Sequence, residues 1–186
     1  MTKEEIIAVV KRLYSRLSYE EISTTQIIAA CNISRGSLYW HFSSKEAIFQ
    51  AVFDSCYTTL VETTRKDQDE SKSALYNLKN RLINMIALDR RDPDCAPIVR
   101  KHIARILMPD SMDPFPYGAF HEDIDHWIEK GIANKELYPY PGSFLAPLIV
   151  TLDWEIVTFL RKNPTHYDDV AFTENLINKV FRSIQA

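Results

Sequence analysis

The chain has 186 residues, 46% hydrophobic and 25% charged, an ordinary balance for a soluble globular protein. Lys plus Arg number 22 and Asp plus Glu 25, a net charge of −3. That excludes a histone-like protein held to nucleic acid by bulk charge, and equally a disordered acidic chain.

Helical periodicity then runs from end to end. Residues 3–16 place Ile6, Val10, Leu13 and Leu17 at helical spacing, and Thr2-x-x-Glu5 is a capping box that starts the helix. Ser18 to Glu21 breaks the pattern. A second box, Ser23-x-x-Gln26, opens a short helix through Ala30. Asn32 follows, the non-glycine residue most tolerant of a left-handed backbone, and suits a sharp turn. Ser34 caps a third short helix, Arg35 to about His41. Ser43-x-x-Glu46 opens a long helix to about Lys66, with Ile48, Val52, Cys56 and Leu60 on one face.

Residues 67–73 read as a polar connector. A helix near 73–89 carries Leu75, Leu78, Leu82, Met85 and Ile86. Asp92, Pro93 and Pro97 punctuate, and a helix near 98–108 ends before Pro109. The three prolines between Pro109 and Pro116 predict a loop. Residues 118–130 predict a helix stopped by Gly131. Residues 138–142 form a rigid linker. An almost continuously apolar helix covers 143 to about 162, ended by Asn163-Pro164. The last helix, about 170–185, has a stripe of Phe172, Leu176, Ile177, Val180, Phe181 and Ile184. No strand pattern competes, so the expectation is an all-α protein of about nine helices.

Four glycines leave little material for phosphate loops, and no GxxxxGK[ST], GxGxxG or GxSxG run occurs. No activated-nucleophile motif points to an enzyme, so no catalytic residue is assigned and no cofactor is expected. No apolar run reaches about 18 residues, so no membrane span is expected. The N-terminus resembles no secretory signal. The three cysteines, Cys31, Cys56 and Cys95, form no CxxC pair and fit a reducing cytoplasm.

Function is concentrated in residues 22–45. Two short capped helices joined by a three-residue turn have the layout of a helix-turn-helix. Ile27, Ile28, Ile33, Leu38 and Phe42 are placed to pack inward, leaving Arg35, Ser37, Tyr39, Trp40 and His41 on the surface of the second helix. The window holds no acid, only Arg35, Lys45 and the titratable His41. Residues 1–50 carry six basic and five acidic side chains, and the rest of the chain 16 and 20, so the acidity lies in the body.

The block Ile33-Ser34-Arg35-Gly36-Ser37-Leu38-Tyr39-Trp40-His41-Phe42-Ser43-Ser44-Lys45-Glu46 resembles the signature of the TetR family of bacterial transcriptional regulators. The match covers roughly residues 3–55, and the Arg-Gly-x-x-Tyr-Trp-His-Phe form is similar to the AcrR-like branch that represses multidrug efflux pumps. Ser18 stands where the family usually has Gly, and Cys31-Asn32-Ile33 where it usually has Ala-Gly-Val. The resemblance implies a three-helix DNA-binding head, 1–46, and a helical ligand-binding and dimerisation body, 47–186, with the helix of about 44–66 connecting them.

In that layout Arg35 leads into the major groove, where an arginine pairs with guanine. Ser37 is short and base-tolerant, and Gly36 allows close backbone approach. Tyr39, His41 and Lys45 are placed for phosphates, with the hydroxyls of Thr24 and Thr25 at the start of the second helix. Trp40 is placed against a thymine methyl or a sugar. The competing structural readings are a solvated arginine, a packing tyrosine and a structural histidine.

Useful specificity from so small a head requires two heads about 34–36 Å apart, hence a two-fold dimer on a palindromic operator in double-stranded DNA. Helices 143–162 and 170–185 are the expected homodimer interface. Leu82, Met85, His102, Arg105, Met108, Phe120, Trp127 and Trp154 are the candidate pocket for a small apolar or aromatic effector, although a packed core uses the same residue types. His121 with Asp125 and Glu122 with His126 have i,i+4 metal-ligand spacing, but solvated helix charge is the simpler reading and no metal is assigned. The expectation is thus a cytoplasmic, ligand-released repressor, with control of an efflux pump implied by the resemblance. The alternatives are a helical binding protein or enzyme using the aromatic body, and a DNA-binding protein without a small ligand.

Overall fold

The computed structural model describes residues 1–106 and 117–186, and their side chains apart from those of 102–106, 117–121, 142 and 143. Among the described residues the chain forms ten α-helices and no strand, and nine of the helices have seven residues or more. They are α1 (Lys3–Tyr14), α2 (Thr24–Cys31), α3 (Arg35–His41), α4 (Lys45–Thr64), α5 (Ala74–Arg91), α6 (Cys95–Ile106), α7 (Tyr117–Ala133), α8 (Gly142–Lys162), α9 (Pro164–Tyr167) and α10 (Val170–Phe181). The chain divides into two units. The first is Met1–Leu60 with Arg91–Pro114, and the second is Val61–Arg90 with Phe115–Ala186.

In the first unit, α1 starts on the expected capping box, Thr2 Oγ1 accepting from Glu5 N–H while Glu5 accepts from Thr2 N–H. Its inward stripe is Ile6, Val10 and Tyr14, all buried, whereas Leu13 and Leu17 are only half-buried. The C-terminal end is closed by α6. Lys101 Nζ donates to the carbonyls of Tyr14, Ser15 and Leu17 at 2.9, 3.0 and 3.1 Å. An ammonium there satisfies carbonyls that have no helical partner and complements the helix dipole.

Two boundaries differ from expectation. The hydroxyl at the start of α4 is that of Ser44, accepting from Ala47 N–H at 3.1 Å, and not Ser43, while Glu46 accepts from the hydroxyl of Tyr19. Helix α6 begins at Cys95 and takes Pro97 into its first turn, where a missing N–H costs no helical bond. The stretch from Pro109 to Pro116, expected to be a loop, lies outside the described residues.

In the second unit, Asn77 closes the connector before α5. Its amide donates to Asp69 O at 2.9 Å and Ser73 O at 3.0 Å, and its oxygen accepts from Asp69 N–H at 2.9 Å. Leu78, Leu82, Met85 and Ile86 of α5 are buried. Gly131 does not stop α7, which runs to Ala133. The left-handed residue is Lys135, at φ 60°. Gly131 is needed for close approach instead, since a Cβ there would stand 2.7 Å from Leu137 Cγ and Cδ1 and 3.0 Å from Ala74 Cβ. After Phe181 the chain tightens into a 3-10 turn, Arg182–Ile184, so the last helix is shorter than the apolar stripe suggested. Tyr138 N–H donates to Ile184 O and Ala186 N–H to Glu136 O, tying the end of the chain to the segment after α7.

Candidate nucleic-acid interface

Helices α2 and α3 are each held by their own first turn. Ser23 Oγ accepts from Gln26 N–H at 3.1 Å, and Gln26 Oε1 accepts from Ser23 N–H at 2.7 Å. Asn32 adopts φ 50°, ψ 48°, a left-handed backbone that ends α2 and redirects the chain. Ser34 Oγ then accepts from Ser37 N–H at 3.0 Å and shares a second hydrogen bond with the Ser37 hydroxyl at 3.0 Å. With these amides satisfied locally, Ile27, Cys31, Leu38 and Phe42 are free to point inward, and all four are buried.

The opposite face of α3 is what remains. Arg35, Gly36, Ser37, Tyr39 and Trp40 are exposed together. Trp40 retains 81% of its surface and Tyr39 42%, a large cost for aromatics in a monomer unless something covers them. The Arg35 guanidinium stands 5.6 Å from the Tyr39 ring centre, and the Trp40 and His41 rings meet edge-on at 4.6 Å. Gly36 lies at the floor of a shallow depression lined by Met1, Ile33, Ser37, Trp40 and His41. A Cβ on Gly36 would meet only Ser34 Oγ, at 3.8 Å. Nothing within the fold requires glycine there.

Three further expected residues divide. Thr24 is half-buried and Thr25 exposed in the first turn of α2, where the capping box takes only the Gln26 amide. His41 is half-buried, and its Nε2 donates to Met1 O at 3.1 Å, so its ring is partly committed inside the head. Lys45 is drawn further in. Its ammonium donates to Tyr19 O at 2.6 Å and lies 4.0 Å from the Tyr19 ring centre. Tyr19 also donates to Glu46, and that hydrogen bond holds the Glu46 carboxyl below the usual range. Tyr14 and Tyr19 both stand edge-on to Phe49, at 4.6 and 4.8 Å.

Sequence reasoning missed this tie between the segment after α1 and the start of α4. Tyr19 sits where periodicity breaks, and Glu46 already had a local role as a capping residue. It also missed Lys3, whose ammonium lies 5.5 Å from the Phe42 ring and adds a cation to the head.

In the second unit, Leu82, Met85 and Trp127 are buried and Trp154 is half-buried. The side chains of His102, Arg105 and Phe120, and Met108 altogether, lie outside the described residues. Trp127 Nε1 has no hydrogen-bond partner among the described residues, nor has Asp153 Oδ1. Asp153 receives Arg81 Nη1 on its other oxygen, and Arg81 Nε lies 3.7 Å from Asp123 Oδ2. Burial pushes the Asp153 carboxyl up to about 6 against the pull of Arg81. His126, one of the residues with metal-ligand spacing, pairs with Glu70 Oε1 at 2.8 Å, and Lys130 holds the same carboxylate at 2.7 Å. The His121 side chain lies outside the described residues. No described helix is long and apolar enough to cross a membrane.

A helix-turn-helix whose second helix presents an arginine and two aromatics outward defines a class of DNA-binding heads. The family model for bacterial regulatory proteins of the tetR family matches residues 6–52, which contain α2, the turn and α3. The match lies in that head, which is the part of the chain that resembles the TetR family. It is 26% identical over 94 residues to the HTH-type transcriptional regulator TtgR of Pseudomonas putida, covering 48% of this chain and 45% of that one. It is 23% identical over 149 residues to the A-factor receptor protein of Streptomyces griseus, covering 80% and 51%. It is 25% identical over 133 residues to the biofilm operon negative transcriptional regulator IcaR of Staphylococcus aureus, covering 71% and 68%. The chain thus spans about half the length of the first two of these relatives. In fold it is similar to a tetR-family transcription regulator from Shewanella, with a TM-score of 0.79 at 14% identity over 99% of this chain and 98% of that one. It is also similar to a γ-butyrolactone receptor, with a TM-score of 0.68 at 17% identity over 95% and 96%. The relatives it matches are transcription regulators and not enzymes.

Proposed function

We propose that the chain is a ligand-responsive transcriptional repressor that binds a palindromic operator as a homodimer. The observation that carries the reading is the outer face of α3, where Arg35, Ser37, Tyr39 and Trp40 stand exposed around a glycine that the fold itself does not need. Arg35 reads a guanine and Gly36 lets the groove wall come close. Tyr39, His41, Thr24 and Thr25 take phosphates, and Trp40 covers a thymine methyl or sugar. Lys45 reaches a phosphate by giving up the carbonyl of Tyr19, so DNA contact there loosens the tie to α4.

The dimer is supported by apolar side chains left open on the two helices expected to form it. Phe144 and Phe159 of α8 are exposed, and Leu148, Leu152, Phe172, Leu176 and Val180 are half-buried. A second copy covering α8 and α10 removes that surface from water and fixes two heads about one helical turn apart. The small effector is supported by the names of two similar proteins, a receptor for A-factor and a receptor for γ-butyrolactone, and repression by the name of IcaR. Its site is sought in the second unit around Leu82, Met85, Trp127 and Trp154, where the buried Trp127 N–H offers a hydrogen bond to an acceptor on the ligand. Control of an efflux pump rests on the Arg-Gly-x-x-Tyr-Trp-His-Phe form alone. An effector acts by favouring a head spacing unsuited to the operator.

Selection of genomic fragments by the full chain, followed by titration of the recovered fragment, tests the reading. Saturable, salt-sensitive binding to one palindrome supports it, and equal affinity for all fragments sinks it.

A further inference from the structure

Lys45 stands where a helix does not favour a cation. It is the first residue of α4, and the unpaired amides at the start of a helix attract negative charge. What holds the ammonium there is Tyr19, from the segment between α1 and α2. Lys45 Nζ donates to the Tyr19 carbonyl at 2.6 Å and lies 4.0 Å from the centre of the same residue's ring. The Phe49 ring centre is 5.6 Å away. An ammonium over an aromatic face is attracted by the ring quadrupole, so the two rings offset the unfavourable helix end.

Tyr19 is itself fixed from several directions. Its ring stands edge-on to the buried Phe49 at 4.8 Å, and its hydroxyl donates to Glu46. Its backbone belongs to a closed turn, in which Ser18 N–H donates to Glu21 Oε2 at 2.7 Å and Glu21 N–H to Ser18 Oγ at 3.3 Å. Just before that turn, Lys101 holds the carbonyls of Tyr14, Ser15 and Leu17. This bracket is therefore in place before any DNA arrives. Only Phe42, Ser43 and Ser44 separate Lys45 from the end of α3. A free lysine stem loses rotamer freedom when a phosphate immobilises its ammonium, and that loss is subtracted from affinity. A stem already laid on a ring has less to lose.

We propose that Tyr19 is a positioning residue for DNA binding, its ring holding the Lys45 stem in place while the ammonium exchanges the Tyr19 carbonyl for a phosphate. This role rests on the operator-binding reading. The phosphate is the stronger acceptor because it carries charge. The ring stays beneath the stem because only the ammonium turns. Tyr19 touches no DNA itself and acts through Lys45.

The test measures operator affinity against salt concentration for the full chain and its variants. Each neutralised phosphate contributes about −0.9 to the slope of log K against log salt. Lys45→Ala is expected to flatten that slope by about 1. Tyr19→Leu keeps an apolar side chain against Phe49 but no aromatic face. It is expected to flatten the slope in the same direction and to lower affinity about three- to tenfold. Tyr19→Phe restores the face and is expected to recover both. Tyr19→Leu combined with Lys45→Ala should bind no more weakly than Lys45→Ala alone, because both changes act on one contact. Additive losses, or a Tyr19→Leu slope equal to that of the wild type, overturn the proposal. A side chain that only supports the fold leaves the number of phosphate contacts unchanged.

A second measurement needs no variant. The Lys45 ε-methylene protons lie in the shielding zone of the Tyr19 ring, so they are expected to resonate upfield of an unstacked lysine in the free chain and in the operator complex alike. Loss of that shift on DNA binding overturns the proposal. A wild-type chain that binds no operator sinks the repressor reading, whereas a wild type that binds beside an unaltered Tyr19→Leu sinks only the role of Tyr19.

Discussion

The face of α3 and the core of the second unit use polar and aromatic side chains in opposite ways. On α3 the aromatics are outside, Trp40 most of all, and the backbone amides are satisfied by hydroxyls within three residues. In the second unit the charges are inside. Arg81 is fully buried between Asp153 and Asp123, and the buried Asp89 takes both a two-point contact from Arg161 Nε and a hydrogen bond from Tyr167 at 2.8 Å. A surface that keeps apolar rings in water is prepared for a partner. A core that keeps charges out of water depends on every partner staying in place. Losses on the first should therefore weaken binding and spare the fold, whereas losses in the second should weaken the fold.

The largest expected effect tests the second half of that contrast. Asp153→Ala leaves the Arg81 guanidinium buried without its closest carboxylate and is expected to lower unfolding stability by about 3–5 kcal/mol in a denaturant titration. The double change Arg81→Met with Asp153→Leu should recover most of the loss. Equal destabilisation by the double change would show that packing, and not the uncompensated charge, is responsible.

On the α3 side, Arg35→Ala is expected to cut operator affinity by about 1–3 kcal/mol while leaving the melting temperature in place. A fall in melting temperature would break the contrast, because an exposed arginine would then be part of the core.

The two glycines sharpen it further. Gly131→Ala forces a methyl against Leu137 and Ala74 and should cost about 1–3 kcal/mol of stability. Gly36→Ala meets open space, so stability should hold or rise by up to about 1 kcal/mol through helix propensity, while operator binding weakens. Thermal melts of both chains and a binding titration of the second decide it. The smallest effect belongs to the turn. Asn32→Ala should cost about 1 kcal/mol, and Asn32→Gly should be near neutral, because only the left-handed backbone is at stake.

Much of the head was legible before any coordinates. Thr2 with Glu5, Ser23 with Gln26, and Ser34 are caps whose partners lie three residues away, and Asn32 carries its own conformational preference. Each was expected at the position where the structure has it. The signature residues of α3 then lent that geometry a family. The same locality explains the misreadings. Glycine after an apolar run usually marks a helix end, but Gly131 serves a contact with Leu137 and Ala74. Ser43 and Glu46 have the spacing of a capping box, but Tyr19, 27 residues away, claims Glu46.

The sequence by itself determined where helices begin and turn, because those choices are made by hydrogen bonds within one helical turn of chain. It also determined which side of α3 faces outward, because the apolar residues there fall on a single stripe. Tertiary structure alone decided which distant groups meet. Arg81 finds Asp153 across 72 residues, and Lys101 closes the end of a helix that stops 87 residues earlier. No periodicity encodes such pairs. They follow from which helix faces are buried against each other, and a buried charge or thiol takes its chemistry from the neighbour it meets there.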